Sequence, residues 1–214
     1  MRKNTTNPIF EIRVCENCGL RYPLQVTPSA GGRCPTCLGK TRSVLQKPIP
    51  DREREFDGRG KRIATQRAVL LDNIRSAWNV GSIFRSADGF GFDHIHLCGI
   101  TPTPDNEAVV KTSLGAEENI PWTYHKDAVE LVMELKKESW RVIALEDEQT
   151  ANEIGQTPPA AGERSVLILG NEVTGIDPGL IALSDEILFI PMRGKKRSLN
   201  VAIAFSVAAY ALSK

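Results

Sequence analysis

The chain has 214 residues, 41% of them hydrophobic, enough for one well-buried core of roughly 150 residues and a small appendage that needs help to fold. No apolar stretch reaches the ~20 residues of a membrane helix, and the polar start, Met1 to Asn7, leads into no apolar signal core, so a cytoplasmic location is expected. The net charge of +1 hides an asymmetry: residues 1–67 carry 14 Lys/Arg against 6 Asp/Glu, and the remainder 13 against 20. A basic front end suits approach to phosphates, with a solvated linker as the alternative.

Four of the five cysteines form two pairs, Cys15-x-x-Cys18 and Cys34-x-x-Cys37. Each pair can place two sulfurs on one ion at ~2.3 Å, and two pairs close a tetrahedral Zn²⁺ site with no open position. Such a metal is structural, stapling a module too small to fold alone. Two disulfides are the alternative, and a cytoplasmic chain is a poor place for them. Gly19 and Gly39, which follow the pairs, suit the tight backbone of a metal knuckle. These features predict a zinc-ribbon-like module over 1–42, a charged linker over 43–66 and a second domain over 67–214.

In the second domain the near-continuous apolar runs Ala68 to Leu71, His94 to Cys98, Val142 to Leu145, Val166 to Leu169 and Glu186 to Ile190 predict strands of a parallel sheet buried on both faces. Between them, helices are predicted at Val80 to Phe90, Ala128 to Lys137, Pro178 to Leu183 and Leu199 to Leu212. The alternation gives an α/β class. The last helix is apolar nearly all round, which predicts burial in a core or a subunit interface. Cys98 reads as a buried strand residue.

Dinucleotide binding fails at Gly89-Phe90-Gly91, which ends a helix and lacks the third glycine, since position 94 is His94. No Walker A sequence is present, and the three histidines sit in no nucleophile-elbow context. Three segments instead bring glycine and polar residues to predicted strand ends, where open α/β sheets bind ligands. They are Asn79-Val80-Gly81-Ser82-Ile83-Phe84-Arg85-Ser86-Ala87, Leu169-Gly170-Asn171-Glu172-Val173-Thr174-Gly175, and Ile190-Pro191-Met192-Arg193-Gly194-Lys195-Lys196-Arg197-Ser198-Leu199-Asn200-Val201. Arg85, among apolar neighbours, asks for an anionic or carbonyl partner, or is an ordinary surface arginine. Glu172 can accept hydrogen bonds from a substrate or from another loop. Ser198 and Asn200 either fix a ligand or cap the last helix, and Arg193, Lys195, Lys196 and Arg197 form a basic cluster suited to phosphate.

Together the three segments resemble the signature motifs of the SpoU/TrmH family of SPOUT methyltransferases, N-x-G-x-I-x-R-x-A, L-G-x-E-x-x-G and I-P-M-x-G-x-x-x-S-L-N-V, with every fixed position matched in order. Lys111-Thr112-Ser113-Leu114-Gly115-Ala116 also resembles a connecting segment of that family. The resemblance covers Arg67 to the C-terminus. It implies a SPOUT-type parallel sheet with helices on both faces and a C-terminal trefoil knot, an exception to the unknotted rule. It further implies S-adenosylmethionine held near Leu145, Gly170, Ile190, Met192, Ser198 and Leu199, and a homodimer with its site at the interface. The implied reaction is methylation of a ribose 2′-hydroxyl in tRNA or rRNA, with Arg85, Asn79, Glu172, Ser198 and Asn200 as catalytic and positioning residues. Family members often carry a different N-terminal domain, so target choice does not carry over. A catalytically inactive zinc-ribbon RNA-binding or assembly protein, or an RNA base methyltransferase, are the alternatives.

Overall fold

The computed structural model describes residues 9–27, 31–48, 66–155 and 162–213, and the chain divides into two compact units, residues 1–61 and 62–214. In the first unit, β1 (Ile9–Cys15), β2 (Arg21–Gln25) and β3 (Thr41–Pro48) form an antiparallel sheet in the order β2-β1-β3. A lone hairpin is marginal in water, and the third strand supplies the missing pairing. The segment read as a linker from residue 43 therefore begins later than expected, because residues up to Pro48 pair along β1. Residues 49–65 of that segment, Lys61 and Arg62 included, lie outside the described residues. Glu11 is buried in this sheet and accepts hydrogen bonds from Arg13 Nη1 and Gln46 Nε2, both at 2.5 Å, which compensates the loss of water around its charge.

The second unit holds seven strands: β4 (Arg67–Asp72), β5 (His94–Cys98), β6 (Trp122–His125), β7 (Arg141–Leu145), β8 (Asn152–Glu153), β9 (Ser165–Leu169) and β10 (Glu186–Phe189). They lie in the order β6-β5-β4-β9-β7-β10-β8, and every pairing among the described residues is parallel. Two late strands enter between earlier ones, β9 between β4 and β7, and β10 between β7 and β8. The helices are α1 (Ala77–Phe90), α2 (Glu107–Ser113), α3 (Ala116–Asn119), α4 (Ala128–Lys137), α5 (Pro178–Leu183) and α6 (Val201–Leu212).

Successive strand residues point to opposite faces, so β4 sends Val69 and Leu71 toward α1 and α6, and Ala68 and Leu70 toward α4 and α5. Ile83 and Phe84 of α1 and Phe205 of α6 complete one core, while Leu131 and Leu135 of α4 and Leu180 of α5 complete the other. Both faces of the sheet are thus covered, as its apolar runs predict. Arg67 ties the first core together from below: its guanidinium donates to the C-terminal carbonyls of two helices, Phe90 and Leu212, each at 3.2 Å.

All five predicted strands and all four predicted helices of this unit are present, with ends moved by capping. Ser76 accepts from the amide of Asn79, which starts α1 three residues earlier than the apolar pattern does, and Asn200 accepts from Ala202 and Ile203, which starts α6 at Val201. The elements beyond the prediction are short: α2 and α3 have too few turns for an apolar period, β8 has two residues, and β6 is an edge strand with a polar exposed side. Helix α6 is buried along Ala202, Phe205, Ala209 and Leu212, but Ile203, Val207 and Tyr210 are exposed in one stripe. Among the described residues no helix is long and apolar enough to cross a membrane.

Candidate functional site

The loops that leave the C-terminal ends of β7, β9 and β10 enclose a cavity of about 450 Å³, within the roughly 300–1,000 Å³ typical of small-molecule sites. Leu145, Gly170, Ile190, Met192, Ser198 and Leu199, all expected to hold a cofactor, line it together. Gly170 allows a close approach of its own loop: a Cβ there would fall 2.3 Å from both Gly175 C and Ile176 N. Sequence reasoning missed Glu146, Asp147, Asn171 and Phe189, which also line the cavity. Their signal was available, because Glu146 and Asp147 follow directly after the predicted strand that ends at Leu145, at the end where such sheets bind ligands. Glu146 Oε2 accepts from the Ile176 amide at 2.9 Å and so braces the β9 loop as well.

At the cavity mouth one residue from each of the three motifs joins a single network. Asn79 Nδ2 donates to Glu172 Oε1 at 3.1 Å, and Asn200 Nδ2 donates to Asn79 Oδ1 at 3.0 Å. Glu172 accepts further from the amides of Arg75 at 2.9 Å and Ser76 at 3.2 Å. Among the described residues, Glu172 is thus bonded to another loop. Burial pushes the Glu172 carboxyl upward, but the amides of Arg75, Glu172 itself and Ser76, with the Asn79 side chain, outweigh it and hold the group below its usual range.

Glu172→Gln puts an NH₂ group where the network needs an acceptor. Solvent exposure keeps the cost near the low end for such bonds, about 1 kcal/mol, or roughly fivefold in affinity for a ligand of the cavity. Because the native carboxyl sits below its ordinary value, its contribution is complete above the ordinary carboxylate range and is lost as pH falls through the lowered value. Titration calorimetry across pH should show a steeper acid fall-off in the native protein than in E172Q, where Glu146 and Asp147 alone still titrate; the same profile in both would remove Glu172 from ligand positioning.

Arg85 is not brought to this cavity. Six residues beyond Asn79, it is displaced by about 9 Å along α1 and turned by one full turn plus about 240°. It is exposed in a separate shallow hollow with Ser82, Ser86, Gly89, Phe90, Lys111, Thr112 and Leu114. Lys111 Nζ lies 5.8 Å from the Trp78 ring centroid beside it. Of the basic cluster, Arg197 reaches the cavity and stands 4.0 Å from Asp147, but at 91% side-chain exposure this pair contributes little.

In the N-terminal unit, Cys15, Cys18, Cys34 and Cys37 hold their sulfurs within 4.8 Å of one another, and all four are free thiols. The contacts Cys15–Cys37 at 3.4 Å and Cys18–Cys34 at 3.6 Å are close to the edge of about 3.8 Å for a tetrahedron with ~2.3 Å arms. Backbone amides point at the sulfurs, Asn17 and Cys18 to Cys15 Sγ and Thr36 to Cys34 Sγ, each at 3.4 Å. The Gly39 amide, then the Asn17 side chain, pull the Cys37 thiol down to about 6, while Cys18, lowered by the Leu20 amide but raised more by its bonds to Cys37 and Cys15, goes up to about 12. Cys98 is the opposite case: burial pushes its thiol up to about 12 inside β5, as expected of an inert strand residue.

The two knuckles differ from the expectation in one respect. Gly19 takes the left-handed backbone after the first pair, but after the second that position falls on Leu38, with φ of 59°. Gly39 serves close approach instead, since a Cβ there would lie 2.8 Å from Asn17 Cβ. Leu38 is 66% exposed, so Leu38→Gly forfeits little packing and relieves a left-handed cost of about 1–2 kcal/mol, less the added freedom of glycine in the unfolded chain. A gain of roughly 0.5–1 kcal/mol is expected, measured by hydrogen exchange of residues 9–48 in urea; a loss would mean that the Leu38 side chain holds the knuckle.

The sequence profile of the SpoU rRNA Methylase family matches residues 66–210. The 23S rRNA (guanosine(2553)-2′-O)-methyltransferase RlmP of Bacillus subtilis is 34% identical over 155 residues, which cover 71% of this chain and 60% of that protein. A tRNA (guanosine(18)-2′-O)-methyltransferase of Thermus thermophilus is 31% identical over 142 residues, 65% of this chain and 70% of that protein. The crystal structure of an AdoMet-bound rRNA methyltransferase from Sinorhizobium meliloti superposes with a TM-score of 0.64 at 26% identity, over 69% of this chain and 55% of that one. The chain thus spans only about 60% of the length of the Bacillus relative. With two motifs lining one cavity, Asn79 of the other bonded to both, and the profile spanning the whole parallel sheet, the chain belongs to the SpoU rRNA methylase family.

Proposed function

We propose that this chain methylates a ribose 2′-hydroxyl of tRNA or rRNA, with S-adenosylmethionine as donor. The observation that carries this reading is the Asn79–Glu172–Asn200 network at the mouth of a cavity lined by the third motif. The cavity fits that donor: Leu145, Ile190, Met192 and Leu199 offer apolar walls, Gly170 a close backbone, and Glu146 and Asp147 negative charge toward a cationic sulfonium. When bound, S-adenosylmethionine supplies an electrophilic methyl group for in-line attack by the 2′-oxygen. The protein's share is then alignment and stabilisation of developing charge. Glu172, Asn79 and Asn200 hold the loops in register, and Ser198 lies on the wall beside Leu199.

A guanidinium offers only donors and no acceptor for a proton, so Arg85 orients the target phosphate and stabilises the developing alkoxide instead of removing the proton. Its distance from the cavity of its own chain supports a homodimer in which a second copy brings Arg85 to the site. The exposed stripe Ile203, Val207 and Tyr210 on α6 offers the apolar surface for that contact. The entry of β9 and β10 between earlier strands supports threading of the C-terminal segment into a trefoil knot.

The four thiolates of the N-terminal unit fit one structural Zn²⁺, with amides aimed at the sulfurs. This ribbon and the basic segment after it would grip the RNA backbone, and four free thiols suit the reducing cytoplasm. The test is methyl transfer from labelled S-adenosylmethionine to tRNA and rRNA lacking the modification, followed by nucleoside mass spectrometry and metal analysis of the same protein. A 2′-O-methylnucleoside supports the reading and identifies the RNA class. A methylated base overturns the ribose assignment, and no transfer by zinc-loaded protein that binds the donor favours an RNA-binding role without catalysis.

A further inference from the structure

Three tryptophans occur in the chain, and two of them, Trp122 and Trp140, pack against the two cores. Trp78 differs from both: it is 54% exposed, in the first turn of α1, directly before Asn79 of the cavity-mouth network. Large aromatics stabilise a fold by leaving water, and an indole left half in solvent contributes little of that. The proposed methyl transfer makes no use of this ring.

Residues four and seven positions apart share one face of a helix, so Trp78, Ser82 and Arg85 form a stripe along α1. Helix α2 lies close beside α1 because Gly81 carries no side chain: a Cβ there would run into Thr112 Oγ1 and the Val109 carbonyl oxygen. This approach brings Lys111, the neighbour of Thr112, over the indole, with Nζ 5.8 Å from the ring centroid, within the ~6 Å of a cation–π contact. Lys111 and Arg85 also line one hollow, and among the described residues no carboxylate lines it with them. Residues 68–214 carry 13 Lys/Arg against 20 Asp/Glu, so two cations without an acid stand out from their surroundings and suit a polyanion.

We propose that Trp78 is a stacking platform for an unpaired nucleobase of the RNA strand that carries the target ribose, with Lys111 and Arg85 holding phosphates of the same strand. The inference rests on the proposed action on RNA and adds to it the residue that grips a base. An exposed aromatic flanked by cations is what a single strand needs, since every base has a π face for the ring and the charges track the backbone. Trp78 and Arg85 are seven residues apart, about 10 Å along the helix axis, so a strand lying along α1 meets the ring and the guanidinium at separate points. Bases inside a duplex are already stacked, so the platform selects a loop, a bulge or a strand end.

The experiment titrates unmodified tRNA and rRNA transcripts into the full zinc-loaded chain and follows tryptophan fluorescence, with methyl transfer and sedimentation measured on the same samples. The expected result is saturable quenching by at least one transcript, lost in Trp78→Phe although that variant binds RNA with near-native affinity, because a phenyl ring still stacks. Trp78→Ala should weaken RNA binding on the order of tenfold, with donor affinity and salt dependence unchanged. Lys111→Gln should instead flatten the salt dependence by about one phosphate contact. Undiminished quenching in W78F, native RNA affinity in W78A, or loss of self-association in W78A, which would assign the ring to a contact between copies, overturns the platform. Quenching without methyl transfer keeps the platform and removes the proposed reaction; transfer with W78A and W78F both like the native chain does the reverse. Binding of neither transcript overturns both.

Discussion

Arg85→Ala should abolish methyl transfer while leaving donor binding close to that of the native protein. The two effects separate because Arg85 lies outside the cavity of its own chain, in the hollow formed with Lys111 and Phe90. Removing a charged group that stabilises developing negative charge lowers turnover on the order of 10² to 10³-fold. Arg85→Lys should recover little of this, since an ammonium lacks the planar fork that grips a phosphate or ribose oxygen in two places. Single-turnover transfer together with calorimetry of S-adenosylmethionine binding reads both halves. Normal turnover in R85A would remove the arginine from catalysis, and a parallel loss of donor affinity would mean that it shapes the cavity instead. If two copies share the site, mixing R85A with a chain inactive in its cavity should restore part of the activity.

The second large effect is expected at Gly170. A methyl group there meets backbone, at 2.3 Å from Gly175 C and Ile176 N and 2.5 Å from Gly175 O, and no side chain can swing away to relieve it. Gly170→Ala therefore forces open the loop that Asn171 closes through its backbone pairing with Gly175. The strain is about 3 kcal/mol, on the order of a hundredfold in donor affinity. The sheet beneath should survive, because Leu167 and Leu169 of β9 keep their core contacts. Donor binding by calorimetry with the far-ultraviolet spectrum as control tests this. Native affinity in G170A would show that the loop has slack and that the cavity is not set by this contact.

The two substitutions draw on different levels of organisation. Arg85 and Gly170 are both fixed positions of linear motifs, and strand ends predicted from apolar runs locate Gly170 at the ligand-binding edge of the sheet. What the motifs do not carry is that Asn79 bonds to both Glu172 and Asn200, 93 and 121 residues away respectively. Glu146 and Asp147 belong to no motif and reach the cavity because β7 lies beside both β9 and β10.

Local chemistry was sufficient for the inner strands, the longer helices and the four-cysteine cluster. Apolar runs long enough to be buried on both sides mark the inner strands, glycine and asparagine mark loop ends and caps, and two Cys-x-x-Cys pairs define a four-thiol cluster whatever folds between them. The tertiary structure decided what depends on distance between remote residues: which strands are neighbours, that Glu172 is occupied by amides, that Arg85 faces away from its own cavity, and that Lys111 lies over the Trp78 ring. The reason is physical. Strand pairing order is set by burying both faces of one sheet at once, a condition on the whole chain, whereas capping, turn formation and knuckle geometry are satisfied within a few residues.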